Sequence, residues 1–380
     1  MLRSVLSALS VPALLVTLGG AGYLAFALVR ALTFRRELRG GGTPSMTVLK
    51  PIKGVEAGLF ENLCSFCDQD YPVFQIIFGI ADRNDPAIDV VQRVLERFPN
   101  RDLRLVVAES PPVSNPKVGN LQNMIGFAKH DVIVIADADM RVGNDYLRAL
   151  ASGFANERAG AVTCLYAGDP CDGVPSELGA MYINDHFAPS VLVAQAIEKL
   201  TYCFGATMAV RRTVLDEAGG LAALASHLGD DYMLGKLVSD RGYDIVLSHY
   251  VVRNIVFEPS LRHLWHHELR WGRTVRAQRP AGYASLFITY PLPFAVLFTL
   301  MAATWGGVIP GLALVAVVLV LRLALHYAMR RAFSLHDRST PWLIPVRDTL
   351  GLVVWIVSLF GRSVRWRDLH ANLQSGGRLA

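Results

Sequence analysis

The sequence predicts an α/β fold: one domain built on a mostly parallel sheet, with transmembrane helices on either side of it. Two observations carry this. Apolar residues make up 52% of the 380 and charged residues 18%, and the apolar excess is gathered at the two ends of the chain. Between those ends, short apolar runs of strand length alternate with helix-patterned segments, which is how strand-helix-strand units read. A chain of this length holds one domain of about 240 residues together with several membrane elements.

Residues 5–29 carry no charge and exceed the roughly 20 residues that a helix needs to cross a bilayer core. A secretory signal is the competing reading, but its apolar stretch is only about 7–15 residues long. Arg30, Arg35, Arg36 and Arg39 follow the run, whereas Arg3 precedes it, so the charge bias puts the next domain in the cytoplasm. A Gly- and Pro-containing stretch at 40–45 then separates helix from domain.

The domain begins with a buried strand at 46–51, ending at a proline, and continues with strands at 74–80, 103–107 and 132–136. Helix patterns at 58–67, 87–97 and 115–130 lie between them. In a parallel sheet, ligands sit outside the carboxyl ends of the strands. Asp82 follows the second strand, and Asp137 and Asp139 follow the fourth, so these carboxylates are expected on one rim. Beyond Asp145 the pattern is mixed: a strand at 160–166, an amphipathic stretch at 181–200, and the apolar run 202–210. The segment 187–210 contains Pro189, Glu198 and Lys199, which are costly at a bilayer centre, and is not read as a span.

Two apolar runs, 283–305 and 308–329, are separated by Gly306 and Gly307 and read as a membrane hairpin, with Arg330, Arg331 and Arg338 past its end. The run 350–360 is too short to span unless Arg347 and Asp348 are drawn in. With the basic tail Arg362, Arg365 and Arg367 behind it, it is expected to be re-entrant or interfacial, a short third span being the alternative.

The net charge of +5 is clustered beside apolar segments, which favours anionic lipid headgroups over nucleic acid. Five cysteines include one C-x-x-C, Cys64 and Cys67, with no second pair for zinc; helix packing is the reading set against a redox or metal role. His186, His227 and His263 show no paired metal spacing and are read as packing or headgroup contacts.

The chemistry is concentrated in a few places. The apolar strand at 132–136 delivers Asp137-Ala138-Asp139, two carboxylates at alternate positions and hard oxygen ligands for Mg2+ or Mn2+, which can bridge a nucleotide diphosphate. A solvated turn with capping acids is the bland alternative. Asp230-Asp231 precedes a helical pattern at 233–240. One of the two can be a helix cap, but adjacent acids also raise one apparent pKa, which suits Asp231 to act as a base on an alcohol with Asp230 modulating it. His267, Arg270 and Trp271 fall on one helical face. Arg270 can hold a diphosphate and Trp271 can line a sugar pocket, or the segment with Arg262, Trp265, His266, Arg273 and Arg276 is an interfacial membrane helix. Lys117, in the stretch 115–120, opens the helix before the metal strand, either as surface loop or as a site for a phosphate or sugar oxygen.

Asp82, Asp137-Ala138-Asp139, Asp231 and His267-x-x-Arg270-Trp271 resemble the D, D-x-D, D, (Q/R)-x-x-R-W series of processive and lipid-directed family 2 glycosyltransferases. More closely, Leu49-Lys50-Pro51-Ile52-Lys53-Gly54, Asp70-Tyr71-Pro72, Asp85-Pro86-Ala87-Ile88-Asp89 and Ala218-Gly219-Gly220-Leu221 resemble ceramide glucosyltransferases and the bacterial hopanoid-biosynthesis-associated glycosyltransferases. Leu264-Trp265-His266-His267-Glu268-Leu269-Arg270-Trp271 and Ser65-Phe66-Cys67-Asp68-Gln69-Asp70-Tyr71-Pro72 are nearer the hopanoid group. The last motif begins with His267 where glutamine or arginine is usual, and Asp139 is present where ceramide glucosyltransferases often lack it.

The resemblance implies a GT-A fold and an inverting transfer from a UDP-sugar to a lipid hydroxyl of a hopanoid or ceramide-like acceptor. Asp82 and Pro51 would lie beside the nucleotide, with Lys117, Asp137, His267, Arg270 and Trp271 also on the donor. Asp137 and Asp139 would hold Mg2+ or Mn2+, and Asp231 would be the general base beside Asp230. The expected divisions are 1–39 (membrane helix and basic flank), 40–145 (nucleotide-sugar half), 146–258 (acceptor half), 259–282 (interfacial helix), 283–329 (hairpin) and 330–380 (basic loop, short segment and tail). The expected location is the cell inner membrane, multi-pass, with the catalytic domain cytoplasmic. A polysaccharide synthase is the rival within the class, and it would need more spans; a non-enzymatic membrane scaffold has no use for Asp231.

Overall fold

A computed structural model describes residues 2–34, 42–335, 339–366 and 369–380. Arg35, Arg36, Arg39, Arg338 and Arg367, part of the charge bias read above, lie outside the described residues, as does the side chain of Arg3. The chain opens with a 32-residue helix, α1 (Leu2–Thr33). Strands and helices then alternate as β1 (Met46–Ile52), α2 (Leu59–Cys67), β2 (Phe74–Ile80), α3 (Ala87–Arg97), β3 (Leu103–Val107), α4 (Pro116–Ile125) and β4 (Val132–Ile135). All seven residues of β2 are buried, Gln75 among them, which is why its apolar residues fall on both faces instead of alternating. α4 starts with a proline in its first turn and with Asn115 as cap, its side chain accepting from the Lys117 and Val118 N–H groups. The helix expected to reach residue 130 stops at Ile125, because the chain turns at Gly126 and the Lys129 N–H is taken by Thr47 Oγ1 and Gln75 Oε1 on the neighbouring strands.

The mixed region resolves into β5 (Met140–Arg141), α5 (Tyr146–Gly153), β6 (Ala159–Pro170), α6 (Gly173–Tyr182), a π-helical turn Ile183–Phe187, α7 (Ala188–Ile197), β7 (Met208–Arg211), α8 (Arg212–Glu217), α9 (Asp230–Asp240) and β8 (Asp244–Val256). The strand expected at 160–166 is longer, and its parallel partner β8 completes it. The eight strands run β3-β2-β1-β4-β7-β6-β8-β5. The first four are parallel to one another and β6 is parallel to β8; β7 runs against both its neighbours, and β5 runs against β8. The predicted mostly parallel sheet is thus what forms, with antiparallel joints at β7 and β5. Cys67 is buried against this core and Cys64 is half-buried, and neither is in a disulfide.

The last third contains α10 (Leu261–Gln278), α11 (Pro280–Ser285), α12 (Pro291–Ala302), α13 (Val308–Phe333), α14 (Ile344–Ser358) and the hairpin β9 (Ser363–Trp366) with β10 (Leu369–Asn372). Among the described residues three helices are long and apolar enough to cross a membrane: Ser10–Thr33, Val308–Phe333 and Pro341–Ser358. The run read as the first limb of a hairpin is bent by 59° between Pro280–Thr289 and Pro291–Trp305, a broken span or a re-entrant loop, since Pro291 has no N–H with which to continue the helix. Gly306, at φ 89°, makes the tight turn that a side chain would strain.

The chain divides into two compact units: Met1–Arg35, Asp172–Glu198 and Glu258–Asn372 form one, and Arg36–Cys171, Lys199–Phe257 and Leu373–Ala380 form the other. The expected acceptor half, 146–258, is therefore split: α6, the π-helical turn and α7 group with the apolar helices, α7 packing on α1. The end of the chain returns to the sheet unit, where Leu379 N–H donates to Ser226 and Leu228 N–H to Gly377. In the helical unit α1 packs along α12 and α13, and Gly19 and Gly20 allow that approach: a Cβ on Gly20 would lie 2.6 Å from Pro291 Cβ.

Candidate active site

The parallel run of β2, β1 and β4 puts the ends that lead to Asp82, Pro51 and Asp137 on one edge of the sheet. Pro51 is paired in register with Gly79. Asp82 lies exposed in the turn after β2, its Oδ1 accepting from the Asn84 N–H at 2.8 Å. Asp85 is the buried acid of this turn, accepting from Ala87 and from Gly54.

The turn 136–139 is braced from several sides. Ala136 donates to Leu49 O. Lys50 Nζ donates to Asp137 O at 2.5 Å, Asn62 to Ala138 O at 3.4 Å, and Ile255 N–H to Asp139 O at 2.9 Å. Asn254 Nδ2 holds Asp139 Oδ2 at 2.8 Å. A turn with its carbonyls tied down presents its side chains with little freedom left to lose on binding.

Asn254 and Asn62 are not picked out from the sequence, and Lys50 has there only a place in the 49–54 resemblance, without a role. Lys50 is the least ordinary of them, a lysine at 0% exposure in a central strand with its ammonium 3.7 Å from the centroid of the Phe66 ring. Burial pulls its pKa down to about 7, against the opposing pull of Asp137, Asp139 and Glu56. Its sequence signal was a single charge inside an apolar run.

Lys117 is aimed at carboxylates. Its Nζ lies 2.7 Å from Asp137 Oδ1 and 3.1 Å from Asp230 Oδ2, while the first N–H groups of α4 are taken by Asn115. Asn115 also ties α4 to the loop before α9, through its N–H to Ala225 O and its Nδ2 to His227 O at 2.7 Å. Two helix amino termini, those of α4 and α9, therefore meet around Asp137, and both favour negative charge. α9 lies close under 202–203, since a Cβ on Gly235 would be 2.4 Å from Tyr202 Cα.

Asp231 is the second acid of α9. Burial, then the neighbouring Asp230 carboxylate, push it up to about 6, Lys117 pulling the other way. Asp230 is also raised, burial outweighing Lys117. Gly205 lies beside both Asp231 and Asp137: a Cβ there would be 3.3 Å from Asp231 Oδ2 and 3.6 Å from Asp137 Oδ2. A side chain at this position would press on both carboxylates. Burial, Glu56 and Asp137 raise Asp139 to about 7, an accumulation of negative charge that a divalent cation would relieve. Among the described residues no group of three or more His, Cys, Asp or Glu side chains is arranged to hold a metal alone. Asp137 and Asp139 are hard donors that fit a cation completed by diphosphate oxygens and water.

In the helical unit, α10 carries the remaining candidates. Its Ser260 cap accepts from the His263 N–H. His267 Nδ1 is 2.5 Å from Glu258 Oε1, and its ring is 4.0 Å from that of Trp271. Trp271 stacks on Tyr182 at 5.6 Å and 22°, and the Arg270 guanidinium lies 5.9 Å from the Trp271 ring and 5.8 Å from the Trp366 ring. Two of the arginines expected on a headgroup face are engaged otherwise. Arg276 donates to the carbonyls of Leu359 and Gly361, and Arg273 to those of Ser363 and Phe360, so they hold the turn that leads from α14 into β9. His186 is buried within the helical unit, its Nε2 2.8 Å from Arg322 Nη2, and is a packing residue in that sense.

A mixed sheet with a carboxylate pair at the end of β4 and acids at the start of a facing helix defines a GT-A glycosyltransferase fold. The mannosyltransferase PcManGT from Pyrobaculum calidifontis, solved in complex with GDP-Man and Mn2+, shares it with a TM-score of 0.56 at 19% identity, covering 93% of this chain and 99% of that one. The chain belongs to Glycosyl transferase family 21, whose pattern matches residues 13–379. Among similar proteins, ceramide glucosyltransferase 1 of Caenorhabditis elegans is 23% identical over 348 residues, 88% of this chain and 73% of that protein. Ceramide glucosyltransferase 3 of the same organism is 21% identical over 347 residues, 88% and 74%. The protein is thus a glycosyltransferase enzyme related to ceramide glucosyltransferases.

Proposed function

We propose that the chain transfers a single sugar, N-acetylglucosamine or glucose, from a UDP-sugar to a hydroxyl of a membrane lipid with inversion at the anomeric carbon. A hopanoid polyol is the favoured acceptor and a ceramide-like lipid the next. The observation that carries this reading is that the Asp231 and Asp137 carboxylates both come within 4 Å of where a Cβ on Gly205 would stand. Asp231 accepts the proton of the acceptor hydroxyl as its oxygen forms the bond to the anomeric carbon. The bond from that carbon to the diphosphate breaks on the opposite face, so an α-linked donor gives a β-linked product.

Asp137 and Asp139 would hold Mg2+ or Mn2+, which would supply Lewis-acid neutralisation of the diphosphate's charge. Lys117 adds a fixed positive charge beside Asp137, and Lys50 keeps the turn in place. Pro51 and Asp82 would border the nucleotide from the same sheet edge, and the family resemblance of His267-x-x-Arg270-Trp271 assigns these three residues to the donor. The expected location is the inner membrane with a cytoplasmic catalytic domain, a reading supported by the apolar helices and by the arginine that follows the first of them. The relatives named for ceramide and glucose support a lipid acceptor, and the resemblance of 264–271 and 65–72 supports the hopanoid.

The test is purified protein with labelled UDP-glucose or UDP-N-acetylglucosamine, Mg2+ or Mn2+, and extracted hopanoids or ceramide. Label should enter the lipid phase in a metal-dependent way. Release of UDP with no lipid product from either extract would refute the acceptor class.

A further inference from the structure

The chemistry above leaves unused a set of buried charges on the apolar helices. Arg347 of α14 is 0% exposed and Glu268 of α10 is 2% exposed, and the two are joined by parallel hydrogen bonds of 2.5 and 2.7 Å. Arg347 Nη1 also donates to Leu178 O on α6 at 3.1 Å, and the guanidinium lies 5.6 Å from the Tyr182 ring centroid. Apolar side chains of similar volume commonly hold a fold as well as a buried ion pair does. Such a pair calls for a reason beyond stability.

The spacing supplies one. Glu268 and Trp271 are three residues apart on α10, and Leu178 and Tyr182 four apart on α6, so each couple shares a helix face. Trp271 and Tyr182 are the two stacked rings. A single guanidinium therefore grips both helices one turn away from the aromatic stack they form. The second brace runs the same way: Glu258 holds His267, and its N–H donates to Ser176 Oγ of α6 at 2.9 Å.

We propose that Arg347 is a positioning residue for Trp271 and His267. It fixes the register of α10 against α6, and with it the attitude of the indole and imidazole. A bidentate guanidinium fixes distance and rotation together, which apolar contacts in the same volume do not. The helix α14 is then part of the reaction apparatus as well as an apolar segment. This inference rests on the proposed role of His267, Arg270 and Trp271 at the donor.

The experiment uses the full-length protein in detergent with UDP-sugar, metal and lipid extract. It compares Trp271→Ala, the double variant Glu268→Met with Arg347→Met, the triple combination, and Arg347→Lys, which keeps the charge and loses the fork. The double variant should melt no lower than the wild type, yet its KM for the donor should rise by about tenfold, the scale on which contacting residues couple, with kcat changing less. Adding Trp271→Ala to it should cost little more. A wild-type KM in the folded double variant, while Trp271→Ala is impaired, overturns the inference alone, as do effects that add in full. A wild-type KM for Trp271→Ala overturns both the inference and the donor role of Trp271. Should the double variant fail to fold, Arg347→Lys is read in the same way.

Discussion

Replacing Asp231 by asparagine separates two consequences of one buried carboxylate. Burial and the Asp230 charge hold Asp231 at about 6, against 3.8 for an ordinary aspartate. At about 1.4 kcal/mol per pH unit, keeping it ionised in the folded protein above pH 6 costs roughly 3 kcal/mol. The folded-state pKa is the raised one, so the folded protein binds this proton more tightly than the unfolded chain does. The cost is therefore full above pH 6 and fades as pH falls toward 4. Asp231→Asn, which keeps shape and removes charge, should melt several degrees above the wild type at pH 7.5, the gap closing at pH 4. Its turnover should fall by about two to four orders of magnitude, the usual contribution of a general base. Thermal melts across pH 4–8 and UDP release under saturating donor read the two effects separately. Wild-type kcat/KM should also fall on the acid side of about pH 6. A variant that keeps its turnover, or that melts lower than the wild type at pH 7.5, would refute the assignment of a strained, ionised base.

Other consequences follow from the same site. Asp137→Ala and Asp139→Ala should each weaken metal-dependent binding of UDP by about tenfold or more, as loss of a charged ligand does; calorimetry with and without Mn2+ decides, and unchanged affinity would contradict the metal site. Lys117→Met removes the cation between Asp137 and Asp230. Because Lys117 pulls Asp231 down, the acid limb of the pH-rate profile should move to higher pH, and the fold should lose roughly 3–5 kcal/mol as a buried pair is broken. An unmoved limb would remove Lys117 from the electrostatics of the base.

Much of the sheet unit was legible because its signals are local. Apolar runs of strand length followed by acids place Asp82 and Asp137 on one edge without any knowledge of partners. What was not legible depends on pairing at long range. Asn254 reaches Asp139 because β8 lies against β5, with Met140 opposite Asn254, a register that no motif announces. The arginines of α10 illustrate a different limit. A guanidinium beside an apolar segment suits a lipid phosphate and a backbone carbonyl of a turn equally, and Arg273 and Arg276 take carbonyls. Arg347 and Asp348 looked like a reason to keep the last segment out of a span; buried against Glu268, Arg322 and His186, they are compatible with a helix long enough for one. Lys117 reads from sequence as surface loop or as a site for a phosphate or sugar oxygen; its carboxylate partners, Asp137 and Asp230, emerge only where α4 and α9 meet.

The central claim, inverting transfer to a lipid hydroxyl, is tested most directly by the anomeric configuration of the product. Protein incubated with an α-linked UDP-sugar, metal and lipid extract should yield a glycolipid whose sugar is β-linked to a hydroxyl oxygen, by proton NMR and mass spectrometry of the purified lipid. An α-linked glycolipid, or free sugar as the sole product, would contradict it.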